Sequence, residues 1–341
     1  MKYRNFEKLD FVYKNMTIGR KYNMLIFEPD NFENNYNSFL KSGSPRDMYI
    51  DPDCVQDISK TGYYNYLTVF LNKREIENNG EYLFLPPIDS KLTKANEHNG
   101  KKFDDKKISV YKNNELVFRV TSDQYGFSAA ENIYEDERYF LSSIINRLHN
   151  LSIDKQQCIR KIVTKFVLHS RTLGGAFVWP LPKIGRRTCH YNCARGISSY
   201  IEDSVDLTLW EIKHALDGEY DKCNYISDIL YNEYKKNGIM KGWLNHFGNF
   251  EKFIDYFMLE DFIIEGDPID ITTGEKLQER TVNEYKEEFV NNKRRLATLP
   301  LDDGLAVLER LEGMILSRTK KIEEYIKQDI EKIYSVNTTI K

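Results

Sequence analysis

The sequence is poor in the features that mark membrane-spanning, secreted or disulfide-linked proteins. No stretch approaches the ~18 consecutive apolar residues of a transmembrane helix, and residues 1–15 contain no continuous apolar segment of the kind found in secretion signals. The five cysteines form an odd set without regular spacing, which is typical of a protein in a reducing compartment. We therefore expect a cytoplasmic protein that does not bind a membrane.

The common phosphate-binding and catalytic motifs are also missing. The sequence has no G-x-x-x-x-G-K-[ST], no G-x-G-x-x-G after a predicted strand, no H-E-x-x-H and no G-x-S-x-G. Cys189, His190 and Cys193 are too few for a structural zinc site, which needs four ligands. Residues 260–270 contain five acids, for which a solvated loop is preferred over a magnesium site. We predict no metal and no tightly bound cofactor, and NAD stays open as a ligand.

The residues that are present suit a folded α+β protein. Hydrophobic residues make up 41% and aromatic residues 13% of the 341 residues, which is enough for a sizeable core. The apolar runs 66–72 and 81–87 indicate short strands. Residues 107–123 predict a hairpin that turns at Asn113 and Asn114.

From about residue 126 onward the apolar residues recur with a helical period. This spacing predicts helices over 154–170, 204–218, 247–264 and 303–334, with a short strand at 173–182. The last helix has mixed acidic and basic faces, so it either packs along the fold or binds a protein partner. We expect three parts: a β-rich region at 1–125, a mainly helical region at 126–302 and a long C-terminal helix at 303–341.

One window of the chain contains no acidic residue. Residues 155–201 have no Asp or Glu, although an even distribution of the 52 acids would place about seven there. The window has nine cations, while the rest of the chain sums to a net charge of −12. A local excess of this size repels itself unless an anion or distant acids offset it. An anionic ligand is favoured here, and a solvated face or pairing with distant acids is the alternative.

Part of this window has a regular arrangement. Lys161, Lys165 and His169 are spaced i, i+4, i+8 and stack on one face of the predicted helix. Arg171 and the pair Gly174–Gly175 follow directly. We interpret Lys165, Arg171 and the two glycines as phosphate-binding residues, with His169 as a catalytic acid or base.

The segment "RRTCHYNCARG" at 186–196 concentrates nitrogen-bearing side chains. Arg187 and Arg195 offer forked donors to a phosphate, and His190 can move a proton near neutral pH. Asn192 can hold a ribose hydroxyl, and is placed with the catalytic residues. The alternatives are a structural His190, a turn at Asn192, and an Arg195 held by an acid. Two acids at the start of the next helix suit that last role as orienting residues: Asp203 and Asp206.

The chain resembles a family of uncharacterised bacterial and phage proteins. The resemblance covers about residues 120–265 and rests on "SDQYGFSAAE" (122–131), "RTLGGAFVWP" (171–180), "NCARG" (192–196) and "IEDSVDLTLWEI" (201–212). Ser204 departs from the family pattern, which has arginine there. The family has no established activity, so the resemblance implies no reaction. It implies only that these motifs contribute to one site, through Arg171, Gly174, Gly175, Asn192, Arg195, Asp203 and Asp206.

Two hypotheses follow for function. The first is an enzyme of a defence or toxin system that acts on RNA or a nucleotide, either a metal-independent ribonuclease or a nucleotidyl- or ADP-ribosyl transferase. The second is a non-catalytic protein that binds a nucleic acid or nucleotide through the basic window and a protein partner through the last helix.

Overall fold

The computed structural model describes twelve segments of the chain. These are residues 63–85, 97–98, 101–102, 108–120, 147–148, 150–170, 172–175, 183–184, 187–188, 205–219, 239–279 and 299–338. The helices within them are α1 (Tyr63–Glu77), α2 (Ile153–Ser170), α3 (Val205–Leu216), α4 (Ile239–Phe247), α5 (Phe250–Phe257) and α6 (Leu301–Thr338). The strands are β1 (Tyr82–Leu85), β2 (Glu97–His98), β3 (Lys101–Lys102), β4 (Ile108–Lys112), β5 (Glu115–Val120), β6 (Lys183–Ile184), β7 (Arg187–Thr188), β8 (Ile263–Ile264) and β9 (Asp267–Pro268).

The expected α+β class is confirmed, with a small antiparallel sheet in the first half and helices in most of the rest. The sheet has the order β1–β4–β5. The predicted hairpin is confirmed as β4 and β5, and its turn residues Asn113 and Asn114 have φ of 51° and 68°. Two consecutive positive φ values are what a tight hairpin turn requires, and asparagine tolerates them.

The strand expected at 66–72 is wrong, because these residues lie inside α1. All seven are buried, so the helix is covered on every side and its apolar residues show no helical stripe. A short apolar run of this kind fits a buried strand and a buried helix equally well. Asn72 fixes α1 against the sheet: its side-chain amide donates to the carbonyl oxygen of Phe84 at 2.7 Å and accepts from the Phe84 amide at 3.0 Å.

The helices predicted at 154–170 and 204–218 are confirmed as α2 and α3. Ile159 and Phe166 form the buried side of α2, as the spacing predicts. The chain leaves α3 through Gly218, whose φ of 76° belongs to the left-handed region. Glycine enters that region without the strain that a Cβ brings.

The single helix predicted at 247–264 is wrong, because the chain breaks into α4, α5 and a short hairpin. Gly248 has a φ of 79°, and the side chain of Asn249 accepts a hydrogen bond from the Lys252 amide at 2.9 Å. Asn249 thus caps a new helix two residues after the old one ends. The aromatic side chains of α5 are buried in the core: Phe250, Phe253, Tyr256 and Phe257.

The long C-terminal helix is confirmed as α6, and it packs along α2 and α1. Its buried stripe joins one hydrophobic cluster that also contains residues of α1, the sheet, α2, α3, α4 and α5. Arg318 on α6 is fully buried and ties two other segments together, donating to the carbonyl oxygens of Phe257 at 2.7 Å and Gly174 at 2.6 Å. The three-part division of the chain stays a prediction.

In the segments that the structure describes, no helix is both long enough and apolar enough to span a bilayer.

Candidate functional site

The basic face of α2 is formed by two lysines that point into solvent. Lys161 and Lys165 are exposed, one turn apart on the helix. Neither forms an ion pair with an acid of the described segments. Lys155, near the start of α2, differs in this respect because its Nζ lies 3.7 Å from Asp302 Oδ1. The charge of Lys161 and Lys165 is therefore available to an anion.

His169 continues this face and is held by an acid from the C-terminal helix. Its Nδ1 lies 2.7 Å from Glu312 Oε1, and the two side chains are 23% and 17% exposed. A carboxylate on one ring nitrogen fixes the orientation of the ring and leaves the other nitrogen to exchange a proton. Nε2 has no hydrogen-bond partner among the described residues. His169 is thus oriented as an acid–base group would be.

Sequence reasoning missed Glu312. It lies 143 positions from His169 in a helix that is rich in Glu, so neither spacing nor composition marks it. Only the packing of α6 along α2 brings the two side chains together.

The glycine pair forms a buried 3₁₀ turn, Leu173–Gly175, against α6. The predicted strand at 173–182 is therefore wrong for its first three residues. The Gly174 amide donates to Thr319 Oγ1 at 2.9 Å, and the Gly175 amide donates to the Thr172 carbonyl oxygen at 2.9 Å. A Cβ on Gly174 would lie 2.1 Å from the Ile315 carbonyl oxygen. Both amides are thus engaged within the protein, and the absence of a side chain allows close packing. Phosphate binding by this pair stays a prediction.

Asp206 lies in the first turn of α3 and is 1% exposed. Its Oδ2 accepts a hydrogen bond from the Ile271 amide at 3.1 Å, which links α3 to the segment after β9. Its predicted partner Arg195 lies outside the described residues. The same holds for four more predicted site residues: Arg171, His190, Asn192 and Asp203. Of Arg187 the structure describes the backbone, which pairs with Ile184 in the β6–β7 hairpin.

The acids at 260–270 contribute to the fold, so the expected solvated loop is wrong for most of this segment. It forms the β8–β9 hairpin, in which Asp267 binds Lys213 and Lys276. Burial alone raises the pKa of the Asp267 carboxyl, but hydrogen bonds from the two lysines outweigh it and lower the pKa. Asp270 is 4% exposed and accepts from the Thr272 amide at 2.8 Å. Within the described segments no group of three or more His, Cys, Asp and Glu residues is arranged to hold a metal ion.

A second histidine pairs with a glutamate in the aromatic core, a pair that the sequence analysis did not predict. Glu75 Oε1 accepts hydrogen bonds from His246 Nε2 and from the Tyr256 hydroxyl, each at 2.7 Å. Glu75 Oε2 accepts from the Tyr82 amide at 2.9 Å. Glu75 is 3% exposed and His246 is 14% exposed. Sequence reasoning could not detect this cluster, because its side chains come from α1, α4 and α5, which meet only in the folded protein.

His214 makes a third pair, with Glu219 just past the end of α3. Its Nδ1 lies 2.8 Å from Glu219 Oε2, and its ring packs on Trp210 with the centroids 4.5 Å apart. His214 is 6% exposed, and its Nε2 is buried with no hydrogen-bond partner in the described chain. This pair is local, and its second nitrogen cannot reach solvent.

Comparison with known proteins yields a family and no function. A family model described as a family of unknown function (DUF6994) matches residues 98–300. This range includes all the motifs on which the sequence resemblance rests. Searches of the curated proteins and of the solved structures found no match. The chain belongs to the DUF6994 family.

Proposed function

We propose that this member of the DUF6994 family binds a phosphate-bearing ligand, RNA or a nucleotide, on the basic face of α2. The observation that supports it is the exposure of Lys161 and Lys165 without an acidic partner in the described chain. These two lysines precede a histidine that a carboxylate holds in place, so positive charge and a group capable of acid–base chemistry lie along one face. The arginine-rich residues 171–195 complete the proposed surface.

In the proposed reaction, His169 and His190 act as the acid–base pair. Lys165, Arg171, Arg187 and Arg195 bind phosphate and stabilise the charge that develops during transfer. Glu312 keeps His169 oriented. A metal-independent ribonuclease or a nucleotidyl- or ADP-ribosyl transferase would use these groups, and a defence or toxin system is the proposed setting.

The alternative is a binder that does not catalyse a reaction. In that case the basic face holds nucleic acid or a nucleotide, and α6 provides a surface for a protein partner. Both functions use the two lysines, but only the enzyme needs His169 for a chemical step after the ligand has bound.

A salt titration tests the binding step. The full-length protein is titrated into fluorescein-labelled single-stranded RNA at several salt concentrations, and fluorescence anisotropy is measured. Each lysine that contacts a phosphate contributes roughly 0.7 to the slope of log K against log salt. We expect the double variant Lys161→Gln, Lys165→Gln to bind more weakly and with a shallower slope than wild type.

The matched control removes the same charge elsewhere. Lys320 and Lys327 are exposed on α6 and form no ion pair with the described residues, so Lys320→Gln, Lys327→Gln should keep the wild-type slope. Equal slopes for wild type and both double variants would mean that α2 does not contact phosphate.

Turnover separates the enzyme from the binder. Total RNA and, separately, NAD are incubated with the protein with and without a chelator, and products are resolved by gel and by mass spectrometry. The enzyme hypothesis requires turnover that survives the chelator and is lost in His169→Gln and His190→Ala. Binding without any product favours the alternative.

A further inference from the structure

The basic residues on the exposed face of α2 are spread along the helix axis. Cys158, Lys161 and Lys165 are exposed and follow each other at intervals of three and four residues, and His169 comes four residues later. Residues at this spacing lie one above the other on one face of a helix. We call Lys161, Lys165 and His169 the basic row. At a rise of about 1.5 Å per residue, the row is about 12 Å long.

Acidic side chains lie at the other end of this helix. Asp154 is exposed and precedes Lys161 by seven residues, which places it on the same face. Asp302 of α6 lies 3.7 Å from Lys155 and offsets the first cation of α2. From Lys155 to its end α2 contains no acid. An extended anion is therefore repelled at the start of α2 and attracted along the basic row.

The length of the basic row fits a chain of phosphates better than a single nucleotide. Successive phosphates of a stacked strand advance by about 3.4 Å, so about 12 Å of helix faces three or four of them. In a mononucleotide the phosphates are joined to each other and form one compact group at one end of the sugar. Such a group occupies one part of the row, whereas in a polynucleotide each lysine can bind a different phosphate.

The exposed lysines of α2 recognise charge and not the order of bases. Lysine binds a phosphate as a point charge, and phosphate contacts carry no sequence information. Phe166, the only Phe, Tyr or Trp of α2, is fully buried and cannot stack on a base. The contribution of α2 to binding should therefore be the same for strands of different sequence.

We propose that α2 binds the sugar–phosphate backbone of a single polynucleotide strand, which runs along Lys161 and Lys165 toward His169 and is held independently of its base sequence. This inference rests on the proposed function, and it selects a polymer over a free nucleotide as the ligand. The two lysines position the strand. His169, whose side chain is 23% exposed, lies at the end of the basic row, where the strand passes it.

Competition between unlabelled ligands tests the length of the anion. Fluorescein-labelled single-stranded RNA bound to the full-length protein is displaced by uridine monophosphate or by oligouridylates of about four and about twelve nucleotides, and anisotropy is measured. We expect the longest oligomer to act at a concentration roughly 100-fold below that of the monophosphate, because its contacts add up within one molecule. Equal potency would overturn the proposal and leave phosphate binding intact. RNA that does not bind at all would overturn the proposed function as well.

Charge removal tests whether the contact is with the backbone. Lys161→Gln, Lys165→Gln should weaken the binding of oligouridylate and of oligoadenylate of equal length by the same factor, on the order of tenfold at low salt. It should change the binding of uridine monophosphate little. Lys320→Gln, Lys327→Gln is the matched control and should bind all three ligands as wild type does. A loss confined to one base sequence, or an equal loss for the monophosphate, would contradict the proposal.

Cys158 reports whether the strand lies on α2. Its thiol is free and exposed, three residues before Lys161 on the same face. The wild-type protein is treated with N-ethylmaleimide, with and without saturating long oligouridylate, and alkylation of Cys158 is followed by mass spectrometry. We expect the bound strand to slow alkylation several-fold, and high salt, which releases the strand, to restore the rate. An unchanged rate in the complex would overturn the proposal even if RNA binds elsewhere on the chain.

Discussion

Two histidine–glutamate pairs of the same length lie in different surroundings. In both pairs a ring nitrogen is 2.7 Å from a carboxylate oxygen. His246 is in contact with four aromatic rings, those of Tyr82, Trp243, Phe247 and Tyr256. His169 has no ring contact in the described chain and lies next to exposed lysines. The distance alone therefore does not show whether a pair contributes to stability or to the chemistry of its histidine.

The surroundings decide which property each pair controls. Glu75 is almost fully buried and receives three donors, so its loss leaves donors unpaired in the core. Glu312 is partly exposed and receives one nitrogen, so water can replace it at low cost. The Glu75–His246 pair should matter most for stability, and the Glu312–His169 pair for the chemistry of its histidine.

Glu75→Gln should produce the largest loss of stability. If the new amide group faces the Tyr82 amide, two donors meet; if it faces His246 and Tyr256, the imidazole must change tautomer and the hydroxyl must rotate to accept from it. We expect the free energy of unfolding to fall by about 3 kcal/mol, as for other broken buried networks. Urea unfolding of the full-length chain, followed by circular dichroism, measures it. A loss below about 1 kcal/mol would mean that this network is no more important than a surface pair.

Gly174→Ala should lower the stability of the fold at the contact between the 3₁₀ turn and α6. The new methyl group would clash with the Ile315 carbonyl oxygen on α6, and overpacking of this kind costs about 2 kcal/mol. Gly313→Ala, on α6, is the control, because a Cβ there meets nothing within 4 Å. It should stabilise α6 by up to about 1 kcal/mol. Thermal unfolding of both variants compares them, and a tolerated Gly174→Ala would contradict the close packing.

The contrast between the two pairs also shows how far sequence reasoning extends. The amphipathic helices α2, α3 and α6 were predictable because each shows its buried stripe as a repeat along the chain. The hairpin was predictable because its turn chemistry is local. The helix at 66–72 was not, since a segment buried on every side has no periodicity that would separate it from a strand.

The candidate site was predictable only in its local part. Lys161, Lys165 and His169 follow from helical spacing. Glu312 and the Glu75–His246 pair depend on which helices pack together, which no short pattern encodes. Gly174 was predicted to bind phosphate, which stays a prediction, while in the structure its lack of a side chain allows the close contact with α6.

Glu312→Gln should cost little stability, because the Glu312 side chain is partly exposed and glutamine can still accept a hydrogen bond from His169 Nδ1. We expect less than about 1 kcal/mol of destabilisation. Urea unfolding measured beside Glu75→Gln checks it. A loss as large as that of Glu75→Gln would contradict the contrast between the two pairs.

Asp267→Asn should have the smallest effect on stability. It tests whether the loss of stability in acid arises at Asp267 and not at the two histidine pairs. The lysines hold the pKa of the folded Asp267 carboxyl below its ordinary value of 3.8. A carboxyl with a lowered pKa contributes stability above the ordinary value, and that contribution is lost as the pH falls through the folded pKa. We expect the variant to be less stable by less than about 1 kcal/mol at pH 7.

The pH dependence identifies the source of that contribution. Below about pH 3.8 the carboxyl of the wild type gains its proton, so the stabilities of wild type and Asp267→Asn should converge as the pH falls further. Near neutral pH, where histidines titrate as a class, the difference between the two proteins should stay constant. If the difference instead changed between pH 6 and 7, Asp267 would be coupled to a histidine, and the acid-range and histidine-range effects could not be assigned to separate regions of the molecule.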